Sequence, residues 1–270
     1  PPIATVVAQD LGVLPGDIIQ GRGAYGAGTA LSALVLAPRA DRIGADRALR
    51  HACAMLTVAL VVSALAPSIL ILLIGHAIAG IGAGMALPAI YSLAAQVGPK
   101  GREKQTIGTV LTGWTLSLVG GVVLASALAD IAGWRNVYGL MAGMTAVIWV
   151  LLGRCDTRVA IIGTAPTSPP TGLQVPGISR GLLSNALLML GFFGAYSFMG
   201  PHVVDTLGLT VSAAGLVTFA YGSGFGLAVF LDRFVDRLPP GRASALAFAG
   251  LLIGYGLMAF SAQVFMLLLA

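Results

Sequence analysis

Charge is scarce in this 270-residue chain: Asp, Glu, Lys and Arg make up only 9% of it, against about a quarter of an ordinary soluble domain. Too few charges exist to clothe a water-facing surface, which excludes a soluble globular protein. Cysteine is nearly absent as well. Cys53 and Cys155 make no disulfide framework, and neither sits in a metal or redox spacing. The three histidines form no HExxH, there is no GxSxG, and no paired carboxylates lie within the apolar runs, so a membrane-embedded enzyme is disfavoured. Alternating strands of about ten residues are also lacking, which leaves helices as the spanning element. The chain starts at Pro1 without Met or a signal-peptide pattern and stops inside the apolar run Val264 to Ala270, so both ends are expected to be cut.

Apolar residues are abundant, at 57% of the chain with a mean hydropathy of +0.93, and 37 residues are glycine. In a bilayer the counting unit is an apolar run of about 20 residues. Breaks at Gly, Pro and charge predict eight membrane helices, at about Ile18 to Leu36, Leu49 to Ala66, Ile69 to Ala95, Thr106 to Leu128, Asn136 to Leu152, Leu182 to Val203, Ala213 to Leu231 and Ala243 to Phe260. A ninth begins near Phe265.

The net charge of +5 reports topology. Thirteen of the fifteen basic residues fall in every second loop: Arg39, Arg42, Arg47 and Arg50; Lys100, Arg102 and Lys104; Arg154, Arg158 and Arg180; Arg233, Arg237 and Arg242. The alternate loops hold Arg135 with Asp10, Asp17, Asp130 and Asp205. The positive-inside rule makes the basic loops cytoplasmic, and nucleic acid is not expected as a partner.

The chain also matches itself at an offset of about 196 residues. Asp10 to Val13 pairs with Thr206 to Leu209, Tyr25 to Gly28 with Tyr221 to Gly224, Asp41-Arg42 with Asp236-Arg237, and Ile69 to Leu73 with Phe265 to Leu269. Four matches in order and on one membrane side indicate two halves related by a parallel repeat, as in transporters built around an axis along the membrane normal. The expected divisions are residues 1–153, a Pro/Thr/Gly-rich cytoplasmic linker 154–181, and residues 182–270. By the same match, one helix before Asp10 and three beyond Ala270 belong to a parent of about twelve.

Five segments carry a more specific likeness. Ala37-Pro38-Arg39-Ala40-Asp41-Arg42-Ile43-Gly44-Ala45-Asp46-Arg47-Ala48-Leu49 resembles the loop signature G-x-L-A-D-R-x-G-R-K-x-x-L of the major facilitator superfamily, matching at Asp41, Arg42, Gly44 and Leu49. Leu72 to Gly84 resembles that family's fourth-helix signature L-x-x-x-R-x-x-Q-G-x-G-A-A at Leu72, Gly80, Gly82 and Ala83, with His76 in place of Arg and Ala79 in place of Gln. Ser117 to Ser126 aligns with the antiporter signature G-x-x-x-G-P-x-x-G-G at Gly121, with Val122 where the family has Pro. Asp130 to Arg135 is similar to the family's D-x-x-G-W-R; Trp134 and Arg135 also suit a membrane-interface anchor. Tyr196 to His202, an aromatic helix broken at Pro201, looks like the seventh helix of its drug and sugar exporters.

The resemblance implies an all-α polytopic bundle of the major facilitator fold, about eight helices of twelve, in the plasma membrane, with a bacterial inner membrane as its setting. It implies a monomeric secondary transporter exporting a small drug-like or sugar-like solute by alternating access with proton coupling, and no cofactor, metal or catalytic residue. An uncoupled facilitator or substrate sensor on the same fold stays open, since all ten acidic residues lie in loops or near span ends. The cytoplasmic gate is expected at Asp41, Arg42, Gly44, Arg47, Asp236 and Arg237. The solute or proton pathway is expected at His76, Arg22, Tyr25, Asn185, Tyr196 and Tyr221, and close helix packing at Gly80, Gly84, Ser117 and Gly121. His76 lies about two turns into its span, roughly 10 Å deep. Such a residue is either a proton carrier or a neutral imidazole bonded to a neighbouring helix.

Overall fold

The computed structural model describes residues 4–36, 42–99, 102–154, 173–235 and 237–261. Every regular element among them is helical: α1 Ala4–Leu11, α2 Pro15–Val35, α3 Ala45–Ala64, α4 Ile69–Val97, α5 Glu103–Leu116, α6 Val122–Ala132, α7 Trp134–Arg154, α8 Ile178–Pro201, α9 Val211–Val235 and α10 Pro240–Ser261. A π-helical turn, Ser117–Gly121, joins α5 to α6 without a break, and a second, His202–Thr206, extends α8 past Pro201. Among the described residues, six helical stretches are long and apolar enough to cross a membrane. In α2, Gln20, Arg22 and five glycines dilute the hydropathy of an otherwise span-length helix. The expected span near Phe265 and the residues Asp41, Lys100, Arg158 and Asp236 lie outside the described residues.

Local chemistry sets several helix ends. Pro15 stands in the first turn of α2, and the Asp17 carboxylate accepts the Leu14 N–H at 3.1 Å, supplying both a cap and a negative charge at the positive end of the helix dipole. Gly44 precedes α3 with φ +91° and ψ 148°, a region closed to residues with a Cβ. Gly12 and Gly208, which the internal match aligns, each follow a helix end with φ +65°.

Contacts divide the chain into two compact units. One takes residues 3–110 and 128–178. In it α4 packs on both α2 and α3, α3 packs on α7, and α1 rests on α2. Its core is built from small side chains: Ala48, Ala52, Ala86 and Ala89 with Met85 between α3 and α4, and Val7, Ala66, Leu72 and Trp134 at the other end. Lipid gives helices no hydrophobic reason to associate, so close van der Waals approach must do it, and that needs residues this small. The other unit takes residues 111–127 and 179–270. There α9 packs on both π-helical turns, and Val203, Ala214 and Val217 form a core bordered by Met199, Leu207 and Met258.

The outward faces are apolar. Leu34, Leu65, Leu124, Ile131, Leu190, Leu252 and Ile253 are among many large aliphatic side chains left exposed, as expected where lipid is the solvent.

Candidate functional site

Aromatic side chains of α8, α9 and α10 face one another in the second unit. On α8, Phe192 and Tyr196 are four residues apart and stack nearly parallel, centroids 5.6 Å apart and planes at 13°. On α9, Val217 and Tyr221 repeat the spacing, and the Tyr221 ring lies 4.9 Å from Phe192 and 5.3 Å from Tyr196. On α10, Ala247, Leu251, Tyr255 and Met258 form the third wall, with Gly250 and Gly254 between them. A Cβ at either glycine would meet nothing within 4 Å, so their bareness adds open volume. The result is a cavity of about 350 Å³ with no charged residue among the described residues of its lining.

Tyrosine hydroxyls punctuate this wall. The Tyr196 hydroxyl donates to Thr218 Oγ1 at 3.0 Å. The Tyr255 hydroxyl is enclosed and has no hydrogen-bond partner among the described residues, a state that costs free energy until a partner arrives. Sequence reasoning named Tyr196 and Tyr221 but missed Phe192, Tyr255 and the glycine floor. Asn185, exposed and two turns before Phe192, is not in the lining.

In the other unit, His76 is half-buried on α4. Its Nδ1 lies 2.8 Å from the Leu72 carbonyl oxygen, which only accepts, so Nδ1 carries the proton and donates. Its Nε2 is then free to accept from the Tyr138 hydroxyl of α7 at 3.3 Å. The Tyr138 ring stands edge-on to His76 and to Trp134, each at 5.9 Å. Gly21 of α2 closes the remaining side, where an added Cβ would come within 3.3 Å of the imidazole. Arg22 is half-buried and Tyr25 is 40% exposed, both on α2.

Tyr25 marks the close seam between α2 and α4. A Cβ at Gly80 would overlap the Tyr25 carbonyl oxygen, one at Gly28 would overlap the Ala77 carbonyl oxygen, and one at Gly84 would fall 2.6 Å from Thr29 O and 2.8 Å from Ser32 Cβ. Thr29 Oγ1 lies within hydrogen-bond distance of Tyr25 O and Gly80 O, at 2.9 and 3.1 Å, pinning the two backbones together. Ser117 and Gly121 form the two ends of the first π-helical turn and are exposed, with Ser117 Oγ 3.5 Å from a Cβ built on Gly121. Arg42, Arg47 and Arg237 are exposed, and Gly44 forms the turn before α3. Asp41 and Asp236, the acidic members of the expected gate, lie outside the described residues.

A further cluster was not expected. The Asp10 carboxylate accepts from Arg135 and, at 3.1 Å, from Trp134 Nε1, while Arg135 also donates to Ala66 O at 3.2 Å and its guanidinium lies 4.3 Å from the Trp134 ring centre. The hydrogen bond from Arg135, then that from Trp134, hold the Asp10 carboxyl below the ordinary aspartate value. Trp134 is only 3% exposed. It is therefore a core residue capped by an ion pair, where the sequence suggested a membrane-interface anchor. The partners are more than 120 residues apart, so no local pattern reveals them.

The sequence model of the Major Facilitator Superfamily matches residues 1–270, the whole chain. Among curated relatives, the MFS-type transporter YwfA of Bacillus subtilis is 26% identical, over 92% of this chain and 61% of its own length. The chloramphenicol resistance protein of Streptomyces lividans is 29% identical, over 95% and 67%. The purine ribonucleoside efflux pump NepI of Shigella sonnei is 23% identical, over 92% and 62%. The chain thus spans about three fifths to two thirds of the length of these relatives.

Proposed function

The chain belongs to the major facilitator superfamily, a multi-pass membrane protein of helical fold, and from that premise we propose that it exports a small organic solute by alternating access. The observation that carries this reading is the aromatic cavity of Phe192, Tyr196, Tyr221 and Tyr255. Its stacked rings suit a flat or ring-shaped solute with an apolar face, and the unpartnered Tyr255 hydroxyl suits one polar group on it. Relatives named for chloramphenicol and for purine ribonucleosides fit the same description, since each of those solutes joins an aromatic ring to hydroxyl groups. The setting is the plasma membrane, with the loops around Arg42, Arg102 and Arg237 in the cytoplasm.

Proton coupling is assigned to His76. A second proton on Nε2 forces Tyr138 to stop donating and turn its hydroxyl, so charge on α4 is read directly by α7. An uncoupled facilitator is the second reading, favoured by the apolar and aromatic character of the described cavity lining. Everted membrane vesicles carrying the protein separate the two. Radiolabelled chloramphenicol or a purine ribonucleoside should accumulate, and Tyr196→Ala and Tyr221→Ala should lose accumulation. Collapse of the pH gradient should stop accumulation if His76 couples it, and leave downhill flux alone if transport is uncoupled. Equal uptake with and without the protein would overturn the transport reading.

A further inference from the structure

Outside the regions already described, two arginines line one pocket, and neither is paired with a carboxylate among the described residues. Arg50 lies in the second turn of α3 and Arg154 is the last residue of α7. With Trp149, Val150 and Gly153 they line an open pocket of about 190 Å³, roomy enough for a phosphate group. No carboxylate among the described residues is within ion-pair distance of either guanidinium; Asp46, one turn before Arg50, is not paired with it. Two cations lining one small pocket repel.

Arg50 nonetheless lies against α7. A Cβ built on Gly153 would fall 3.1 Å from Arg50 Cζ and Nη2 and 3.3 Å from Nε. Those near-equal distances mean that the flat guanidinium rests face-on against bare backbone, and its N–H edges have no hydrogen-bond partner among the described residues. Trp149, 39% exposed, stands beside it, and tryptophan favours the depth of lipid headgroups. Arg50 and Arg154 belong to the basic loops, so the pocket opens at the cytoplasmic leaflet, whose lipids carry negative charge.

We propose that Arg50, Trp149, Gly153 and Arg154 form a binding site for the phosphate of an anionic phospholipid of the cytoplasmic leaflet. The two arginines bind the phosphate oxygens, Trp149 packs along the glycerol and upper acyl region, and Gly153 seats Arg50 by having no side chain. This stands apart from solute export, because the pocket lies in the other compact unit from the aromatic cavity.

The test is native mass spectrometry of the purified chain in detergent, titrated with phosphatidylglycerol, phosphatidylcholine or inorganic phosphate. Phosphatidylglycerol should bind in preference to phosphatidylcholine. Arg50→Gln or Arg154→Gln should each weaken it about fivefold, and the double variant about thirtyfold. Gly153→Leu, which removes no charge, should also weaken it by displacing Arg50. Arg242→Gln, a basic residue elsewhere, should leave it unchanged. Binding of inorganic phosphate that is lost in the same variants supports the anion site and names free phosphate as a second source. Phosphatidylglycerol binding that survives the double variant, or falls equally in Arg242→Gln, overturns the proposal. If the double variant does not fold, the singles and Gly153→Leu decide, and wild-type affinity in all three overturns it equally.

Discussion

Replacing Gly84 with alanine and replacing Gly26 with alanine should have opposite effects on stability, although both glycines lie in the interior of the same helix pair. Outside any tertiary contact, alanine is favoured over glycine in a helix interior by about 0.5–1 kcal/mol. Gly26 is such a position, since a Cβ there meets nothing within 4 Å. At Gly84 the new methyl would stand 2.6 Å from Thr29 O and 2.8 Å from Ser32 Cβ, where ordinary contact begins near 3.4 Å. Neither atom can be rotated away, because one is backbone and the other is fixed to it. α2 must therefore retreat from α4 by roughly 0.8 Å, and overpacking of that kind costs about 1–3 kcal/mol. The helix-propensity gain offsets only part of this. Thermal unfolding of the purified protein, followed by far-UV circular dichroism in one detergent, should give a lower midpoint for Gly84→Ala than for wild type and a slightly higher one for Gly26→Ala. A Gly84→Ala midpoint at or above that of wild type would refute the close-seam argument.

The Asp10 contacts give a signed pH dependence. The folded carboxyl is held below its ordinary value by Arg135 and Trp134, so its contribution is complete above that ordinary value, near 3.8, and is lost as pH falls through the lowered one. Wild type should therefore melt above Asp10→Asn at pH 7 and converge with it below about pH 4; a constant gap at both pH values would contradict this. Gly44→Ala should cost about 1–3 kcal/mol because φ +91° with ψ 148° excludes a Cβ, and Gly44→Asn should not rescue it, as shown by the same melts. For the proposed coupling, His76→Ala should abolish proton-driven accumulation in vesicles and Tyr138→Phe should shift its pH profile; wild-type profiles in both folded variants would reduce the pair to packing. Single cysteines near Asp130 and Asp205 should react with an impermeant reagent from outside intact cells, and one near Arg237 should not, once Cys53 and Cys155 are replaced; labelling at Arg237 would invert the topology.

Helix positions were legible because lipid enforces them: an apolar run of sufficient length must be helical, and α3, α4, α7, α8 and α10 fall close to the expected spans. The small-residue pattern at Gly80 and Gly84 was legible for a related reason, since backbone approach leaves a mark in composition. The π-helical turn at Ser117–Gly121 was not. Where the superfamily signature carries a proline, Val122 suggests a straight helix, and an extra residue per turn depends on what packs beside it, in this case α9. The Asp10–Trp134–Arg135 cluster and the Arg50–Arg154 pocket escaped for a third reason. Each joins residues about a hundred or more positions apart, and a loop charge reads the same whether it is paired, solvated or waiting for a ligand.

The seam between α2 and α4 has a mechanical consequence. Most helix interfaces slide a little because side chains between them can change rotamer, but where carbonyl oxygens face bare glycines nothing is left to rearrange. α2 and α4 should then travel as one stiff plank in any rocking motion. Compliance has to be found at joints of another kind, and the surplus residue wound into Ser117–Gly121 is such a joint: a register that can be shed or regained without breaking the helix on either side.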